Sequence, residues 1–213
     1  MSGDGATFIY YLDKPIPYGL YEDAVKVIWR NASAAIFEYY DPFYTPPLDG
    51  RVPLAQVLND YLFRCSSEVY GREIVQRGGN AYSYVFDYVW NMAWLFPEFG
   101  LPDVCTDIAC HSEEIPFVFN NTVPSLNASF TAAEQALAAN MVTWWTNFAR
   151  NGDPNNSTGG RASTEQVGGT RQPLWPHFTA DGREAMHIAL GSYVESGGVD
   201  LCAGMWDGIG YLY

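Results

Sequence analysis

The residue types that acid–base chemistry uses are concentrated in one short stretch, residues 105–120, which read C-T-D-I-A-C-H-S-E-E-I-P-F-V-F-N. His111 lies there directly after Cys110 and close to carboxylate side chains in the sequence. An imidazole beside a carboxylate changes charge near neutral pH, and it acts as a general base when a hydrogen-bonding group fixes its tautomer. His111 is therefore a candidate general base.

Two other roles for His111 fit the same residues. A histidine in a loop that Cys105 and Cys110 close as a disulfide is often purely structural. The two cysteines and the histidine are also potential metal ligands, but the Cys-x4-Cys-His spacing lacks the paired spacing that is typical of zinc sites. The residues alone favour the structural role over the catalytic one and disfavour a metal site.

A family resemblance shifts this balance towards catalysis. Residues 110–119, C-H-S-E-E-I-P-F-V-F, resemble the catalytic-histidine segment of type-B carboxylesterases and cholinesterases, C-H-G-x-E-L-P-F-V-F. Other segments resemble further motifs of the family in the same order: D-Y-L-F-R-C (60–65), A-Y-S-Y-V-F (81–86), G-D-P (152–154) and W-P-H-F (175–178). The resemblance covers nearly the whole chain. It implies the α/β class, here the C-terminal part of an α/β-hydrolase with its last central strands, packing helices and an incomplete sheet.

The resemblance also suggests the group that holds the imidazole. Residues 3–8, G-D-G-A-T-F, match a family segment, D/N-E-G-x-x-F, whose Glu is the triad acid, and Asp4 stands in the position of that Glu. The acid precedes the histidine in α/β-hydrolases, as it does here. An Asp is one methylene shorter, so its loop after a central strand must lie closer to the histidine. We expect Asp4 and His111 to meet at one edge of the sheet, and a Gly-Asp-Gly turn without function is the alternative.

The mechanism that the resemblance implies is acyl transfer through a serine ester. His111 would take the proton of a serine hydroxyl and return it to the leaving alcohol, while Asp4 would orient the imidazole. Glu114 matches the family's Glu, and it is expected to make buried hydrogen bonds beneath the loop. Ser112 replaces the family's Gly, a change expected to restrict positive φ values at that position.

The sequence lacks two parts of this machinery, because it contains neither a G-x-S-x-G nucleophile elbow nor a His-Gly-Gly-Gly oxyanion segment. We therefore predict that the chain is inert alone. The missing N-terminal part of the same hydrolase would supply the serine, and the substrate would be a small-molecule carboxylic ester, with no cofactor and no metal. A non-catalytic, cholinesterase-like adhesion or binding protein is the main alternative, and a small secreted binding domain is the other.

The composition is that of a folded, acidic protein. With 213 residues, 48% hydrophobic and 16% aromatic, the chain could bury a sizeable core as one domain. A net charge of −13 disfavours partners such as nucleic acid or an anionic membrane, whose phosphates call for basic patches. The sequence has no apolar run of about eighteen residues, so it predicts no transmembrane segment.

Cysteines and glycosylation motifs predict a secreted, extracellular glycoprotein. The resemblance pairs Cys65 with Cys202 and Cys105 with Cys110, although the sequence alone permits three connectivities. Such disulfides require an oxidising compartment. The N-terminus, M-S-G-D-G, does not resemble a signal peptide, so we expect that a missing front part of the parent carried one. Glycosylation acceptor motifs begin at Asn31, Asn120, Asn127, Asn155 and Asn156.

Several elements must position the candidate residues within the fragment 1–213. Apolar residues at helical spacing predict a helical insertion at 19–79, which a Pro/Gly-rich loop interrupts at 41–53. Aromatic and β-branched residues predict a central strand at 81–88, which leads to the histidine loop at 103–120. Thr131 and Glu134 have the capping-box spacing at the start of a long helix. The remaining predictions are that helix (130–150), a flexible loop (151–173) and a C-terminal edge (174–213) with short edge strands (186–190 and 192–195).

Overall fold

The computed structural model describes residues 3–41, 49–122, 128–155, 166–167, 170–198 and 200–211. The chain forms two compact units. Unit 1 comprises residues 1–70, 96–111 and 199–213, and unit 2 comprises residues 71–95 and 112–198. Unit 1 is helical, whereas unit 2 combines a three-stranded sheet with a long helix.

The described elements follow one another as a mixture of helices and short strands. The helices are α1 (Asp4–Ile9), α2 (Tyr18–Trp29), α3 (Ser33–Tyr40), α4 (Arg51–Leu58), α5 (Cys65–Gln76), α6 (Ile115–Val118), α7 (Ala132–Asn151) and α8 (Asp207–Ile209). The strands are β1 (Ser83–Phe86), β2 (Gln166–Val167), β3 (Thr170–Arg171), β4 (Ala185–Ile188) and β5 (Tyr193–Glu195). Short 3-10 segments cover Arg30–Ala32, Ala93–Phe99 and Asp103–Thr106, and π-helical segments cover Asn59–Arg64 and Cys202–Trp206.

The apolar face of α2 explains why the start of unit 1 folds as a helix. Tyr21, Val25 and Trp29 recur at every fourth residue and are buried, whereas Val27 on the opposite side is exposed. Residues four apart lie on the same side of an α-helix, so this spacing turns one apolar stripe towards the core. The helical period at 19–40 is thereby confirmed as α2 and α3.

A polar network and a disulfide hold the C-terminal segment in the core of unit 1. The hydroxyl of Tyr40 donates to Asp60 at 2.8 Å and accepts from the indole N–H of Trp206 at 3.1 Å. Cys65 and Cys202 are both fully buried and form a disulfide across 137 residues of sequence. These two cysteines are a pair that the resemblance implied.

The structure corrects two local predictions in unit 1. Asp4 does not lie on a loop after a strand, because α1 begins at that residue. α4 begins at Arg51, so Pro53 lies inside a helix and not in the predicted loop. Proline is tolerated there because the first-turn N–H groups of a helix have no partner within it. Residues 42–48 of that loop lie outside the described residues.

Unit 2 is organised around β4, which lies between β1 and β5. β4 is parallel to β1, with Tyr84 opposite Met186, and antiparallel to β5. β1 lies within the predicted central strand at 81–88, but it is at an edge of the described sheet, whereas β4, predicted as an edge strand at 186–190, lies between two strands. Met186 and Ile188 are fully buried and alternate with half-buried residues, as expected for a strand with one face on the core.

α7 begins and ends as its sequence predicts. Thr131 Oγ1 accepts from the backbone N–H of Glu134, and the Glu134 carboxylate accepts from that of Thr131, which completes the capping box. At the other end Gly152 has a φ of +69°, a conformation that favours glycine. Glu134 is fully buried and also accepts from the hydroxyl of Tyr88 at 3.0 Å. Burial raises the pKa of Tyr88, so this hydroxyl stays protonated and able to donate.

The predicted flexible loop at 151–173 is not structureless where the structure describes it. β2 and β3 pair there as a short antiparallel hairpin, with Val167 opposite Thr170. Residues 156–165 and 168–169 of this loop lie outside the described residues. Among the helices of the described ranges, none combines the length and the apolar character needed to cross a bilayer.

Candidate active site

His111 and Asp4 lie in direct contact within unit 1. The imidazole Nδ1 of His111 is 2.9 Å from Oδ1 of Asp4, although 107 residues separate them in sequence. Both side chains remain accessible, with 43% of the histidine and 30% of the aspartate exposed. Within the described residues, no hydrogen bond involves His111 Nε2. The contact with Asp4 therefore favours the tautomer with a proton on Nδ1 and leaves the Nε2 lone pair available.

Helix α1 holds the histidine at two points. Asp4, the first residue of α1, contacts the imidazole, and Thr7 lies one turn further on, on the same side of the helix. The hydroxyl of Thr7 accepts from the backbone N–H of His111 at 2.9 Å and donates to the carbonyl of Gly3 at 2.9 Å. Thr7 is buried, so it fixes the backbone of the histidine while Asp4 fixes its ring.

The glycines on either side of Asp4 allow α1 to approach its neighbours closely. The backbone N–H of Gly3 donates to the carbonyl of Ala109 at 3.0 Å, which brings the start of α1 beside the histidine loop. A Cβ atom on Gly3 would collide with that carbonyl, and one on Gly5 would collide with the carbonyl of Ala55 in α4. The Gly-Asp-Gly sequence is thus required by close packing and is not a surface turn.

Two phenylalanine rings contact the imidazole from neighbouring elements. The ring centroids of Phe8 and Phe63 lie 5.3 and 5.2 Å from that of His111. The two phenyl rings also stack on each other, with an interplanar angle of 9°. Phe63 belongs to the π-helical segment between α4 and α5. These aromatic contacts limit how far the imidazole can rotate away from Asp4.

The histidine loop is closed by a short disulfide between Cys105 and Cys110. This is the second pair that the resemblance implied, and both cysteines are buried. A disulfide sulfur cannot serve as a thiolate ligand, so the metal site with Cys105, Cys110 and His111 is wrong for this structure. Among the described residues, no group of three or more His, Cys, Asp or Glu side chains is arranged to hold a metal ion.

The residues after His111 differ from the sequence-based expectations. Ser112 adopts a φ of +70°, so the replacement of the family's Gly did not prevent a left-handed conformation. The buried carboxylate is that of Glu113, which is 4% exposed and accepts from the backbone N–H of Trp90 at 2.8 Å. Glu114 is only half-buried, and its contact with the hydroxyl of Tyr84 is long, at 3.4 Å. The buried role expected of Glu114 therefore belongs to Glu113.

The five glycosylation motifs differ in their surroundings. Asn31 and Asn120 are exposed, and Asn127 and Asn156 lie outside the described residues. Asn155 is half-buried, and its Nδ2 donates to Asp153 at 3.1 Å and to the carbonyl of Trp175 at 2.8 Å. A glycan on Asn155 would replace one of the hydrogens that make these bonds. Of the three described asparagines, Asn31 and Asn120 are therefore more accessible than Asn155.

Sequence reasoning missed Thr7, Phe63 and Glu113 as parts of this site. The spacing of Asp4 and Thr7 places both on one side of a helix, but Gly3 and Gly5 favour a turn, so the sequence does not point to Thr7. Phe63 lies in the D-Y-L-F-R-C segment, whose aromatic residue offered only a weak indication. Nothing in the sequence distinguished the buried Glu113 from its neighbour Glu114.

The architecture and the site together define a class: a mixed α/β protein that holds a histidine against a carboxylate, as in part of an α/β-hydrolase. The carboxylesterase family model matches residues 21–198. The chain belongs to the carboxylesterase family. The matched region contains His111 but not Asp4, so the assignment of the acid rests on residues 3–8 and on the contact itself.

Curated relatives agree with this family. The chain is 30% identical over 159 residues to the acetylcholinesterase of Gallus gallus. The aligned region covers 74% of the chain and 18% of that protein. It is 28% identical over 163 residues to acetylcholinesterase 1 of Caenorhabditis elegans, and this alignment covers 75% of the chain and 23% of that protein. It is also 27% identical over 156 residues to the Crystal protein of Dictyostelium discoideum, and this alignment covers 71% of the chain and 27% of that protein. The chain thus spans only 18% to 27% of the length of these relatives.

Proposed function

We propose that this chain supplies the histidine and the acid of a serine-type carboxylic ester hydrolase. His111 is the general base and Asp4 is the triad acid. The observation that carries the proposal is the 2.9 Å contact between His111 Nδ1 and Asp4 Oδ1. The membership of the carboxylesterase family supports it, because acyl transfer by serine esterases uses a histidine that an acidic residue orients.

Each group has a defined task in this mechanism. Asp4 accepts the Nδ1 proton, keeps the imidazole in the required tautomer and stabilises its cation. Nε2 of His111 then takes the proton of a serine hydroxyl as that hydroxyl attacks the carbonyl of a small-molecule carboxylic ester. The same nitrogen returns the proton to the leaving alcohol, and a second cycle with water releases the acid.

The serine comes from outside these 213 residues, because the sequence has no G-x-S-x-G elbow. The partner of this chain is therefore the rest of the same hydrolase, which also supplies the oxyanion-hole donors. Loss of even one such donor lowers kcat about 100-fold or more. The isolated chain, which lacks the nucleophile as well, is inert towards esters.

A complementation assay tests the proposal. The 213-residue chain alone should hydrolyse p-nitrophenyl acetate no faster than buffer. Addition of an N-terminal carboxylesterase segment that carries the nucleophile elbow should restore turnover. In the mixture, Asp4→Asn should lower kcat by about 10³- to 10⁴-fold, because the histidine would lose its orienting carboxylate, and His111→Ala should lower it at least as much.

Asp13→Asn is the matched control, because Asp13 is an exposed aspartate that has no part in the proposed mechanism. This variant should retain the turnover of the unmodified mixture. Turnover by the isolated chain that His111→Ala abolishes would show the inertness to be wrong. Turnover in the mixture that Asp4→Asn leaves unchanged would remove Asp4 from the mechanism.

A non-catalytic binding protein is the second candidate. The match to the Crystal protein of Dictyostelium discoideum favours it, since the name of that relative states no esterase activity. This candidate predicts no turnover in the complementation assay even when both parts associate.

We also propose that the chain is extracellular. Both disulfides lie within unit 1, and such bonds persist in an oxidising compartment. Asn31 and Asn120 offer exposed acceptors for N-linked glycans, which are added along the secretory route.

A further inference from the structure

Unit 2 contains an open cavity that takes no part in the proposed ester hydrolysis. Its volume is about 150 Å³. Aromatic side chains from β1 and the residue before it, from α7 and from the segment after β3 make up nearly all of its wall. The lining residues are Tyr82, Tyr84, Trp144, Trp145, Phe148, Pro154 and Trp175.

Hydrogen bonds hold the wall of this cavity in place. The backbone N–H of Trp175 donates to Asn155 Oδ1 at 2.8 Å, and its carbonyl accepts from Asn155 Nδ2 at 2.8 Å. The indole N–H of Trp175 donates to the carbonyl of Ser83 in β1 at 2.9 Å. A cavity whose wall is already ordered loses little side-chain entropy when a ligand enters, which favours binding.

Most ring pairs around the cavity meet nearly at right angles, while Trp145 and Trp175 are tilted by 57°. Tyr84 makes interplanar angles of 74° with Trp145 and 76° with Trp175, and Trp144 makes 85° with Trp175. Aromatic rings attract each other most in edge-to-face and offset geometries. Walls that combine ring faces and ring edges therefore suit a further flat aromatic ring.

The chemistry of the lining restricts the charge of a ligand. None of the seven lining residues carries a charge. The hydroxyl of Tyr82 lies 2.9 Å from Nε2 of His177. Burial and the nearby Asp153 raise the pKa of Tyr82 to about 12, so this hydroxyl is protonated at neutral pH. The free-energy cost of leaving water for such a site is smaller for a neutral ligand than for an ion.

We propose that this cavity binds a neutral compound with a single aromatic ring, of the size of p-cresol. An apolar cavity of about 150 Å³ is large enough to hold benzene. The lining gives such a ring aromatic contacts on several sides, and Tyr82 is one of two lining residues that carry a hydroxyl. The site is independent of His111 and Asp4, because all of its residues belong to unit 2.

A titration of the 213-residue chain with p-cresol tests this site. The indole N–H resonances of Trp144, Trp145 and Trp175 in NMR spectra should shift together with one dissociation constant, while that of Trp94 should not shift. Trp145→Ala should weaken binding at least tenfold, because it removes one wall. Trp94→Ala is the matched control, since Trp94 is 60% exposed and lies outside the cavity, and it should leave binding unchanged.

A second variant and a second ligand test the same cavity. Phe148→Ala removes a lining ring that is 47% exposed, so the fold should tolerate it while binding weakens. Cyclohexanol, which has similar size but no aromatic ring, should bind at least tenfold more weakly than p-cresol. Equal binding by both compounds, or equal effects of Trp145→Ala and Trp94→Ala, would overturn the proposal. Indole N–H shifts that depend on the concentration of the protein and not on that of p-cresol would also overturn the proposal, because a second copy of the chain would then cover the cavity.

Discussion

At the scale of single residues, the backbone of Ser112 carries a local strain directly after the histidine. Its φ of +70° lies in the left-handed region, which costs a residue with a Cβ atom about 1–2 kcal/mol relative to its preferred conformation. The neighbouring Glu113 is buried and hydrogen-bonded to Trp90, which fixes the chain on that side. The surrounding contacts therefore maintain a turn that the serine itself disfavours.

Replacement of this serine should stabilise the protein. Ser112→Gly relieves the strain but adds flexibility to the unfolded chain, which offsets about 0.4–1 kcal/mol of the gain. We expect a net gain of about 0.5–1 kcal/mol in the free energy of unfolding, measured as a higher midpoint in urea with an unchanged slope. Ser67→Gly in α5 is the control, and it should destabilise the protein, because Ser67 lies inside a helix. A lower midpoint for both variants would contradict the assignment of strain to Ser112.

At the scale of elements, α1 is too short to be stable by itself. Helices of fewer than about 12 residues are marginal in water, and α1 has only six. Its position depends on the close approach of Gly3 and Gly5 to neighbouring carbonyls and on the hydrogen bond from His111 to Thr7. Tertiary contacts thus create the helix that presents Asp4 to the imidazole.

The role of Thr7 can be separated from simple packing. Thr7→Val keeps the shape of the side chain but leaves the backbone N–H of His111 without its acceptor, which should cost about 1–3 kcal/mol of stability. The ¹⁵N shifts of the His111 ring should also move towards those of a free imidazole, because the contact with Asp4 loosens. Thr7→Ser retains the hydroxyl and should preserve the ring shifts. Identical ring shifts for the two variants would show that Thr7 does not position the histidine.

The same elements show how far the sequence could predict the structure. α7 was predicted correctly because its capping box and apolar period are local signals. α1 was not, since Gly3-Asp4-Gly5 reads as a turn unless the carbonyls that require the glycines are known. The Asp4–His111 pair followed from motif order, whereas the choice of Glu113 over Glu114 as the buried carboxylate depends on contacts that only the folded chain makes.

At the scale of the whole molecule, the two disulfides constrain unit 1 to very different extents. Cys65–Cys202 closes a loop of 137 residues, and Cys105–Cys110 closes one of five. In the chain-entropy model the long loop contributes about 5 kcal/mol and the short one about 2 kcal/mol. The long bridge is therefore a main source of stability, whereas the short bridge acts on the loop that carries His111.

Paired alanine variants should separate these two effects. Removal of both Cys65 and Cys202 should lower the unfolding temperature of the protein by clearly more than removal of both Cys105 and Cys110, as measured by calorimetry. The variant without Cys105 and Cys110 should instead change the ¹⁵N signals of the His111 ring while the protein is still folded. His111 directly follows Cys110, so its backbone gains freedom when this disulfide is removed. Equal losses of stability in the two variants would mean that loop length does not determine how these bridges stabilise the molecule.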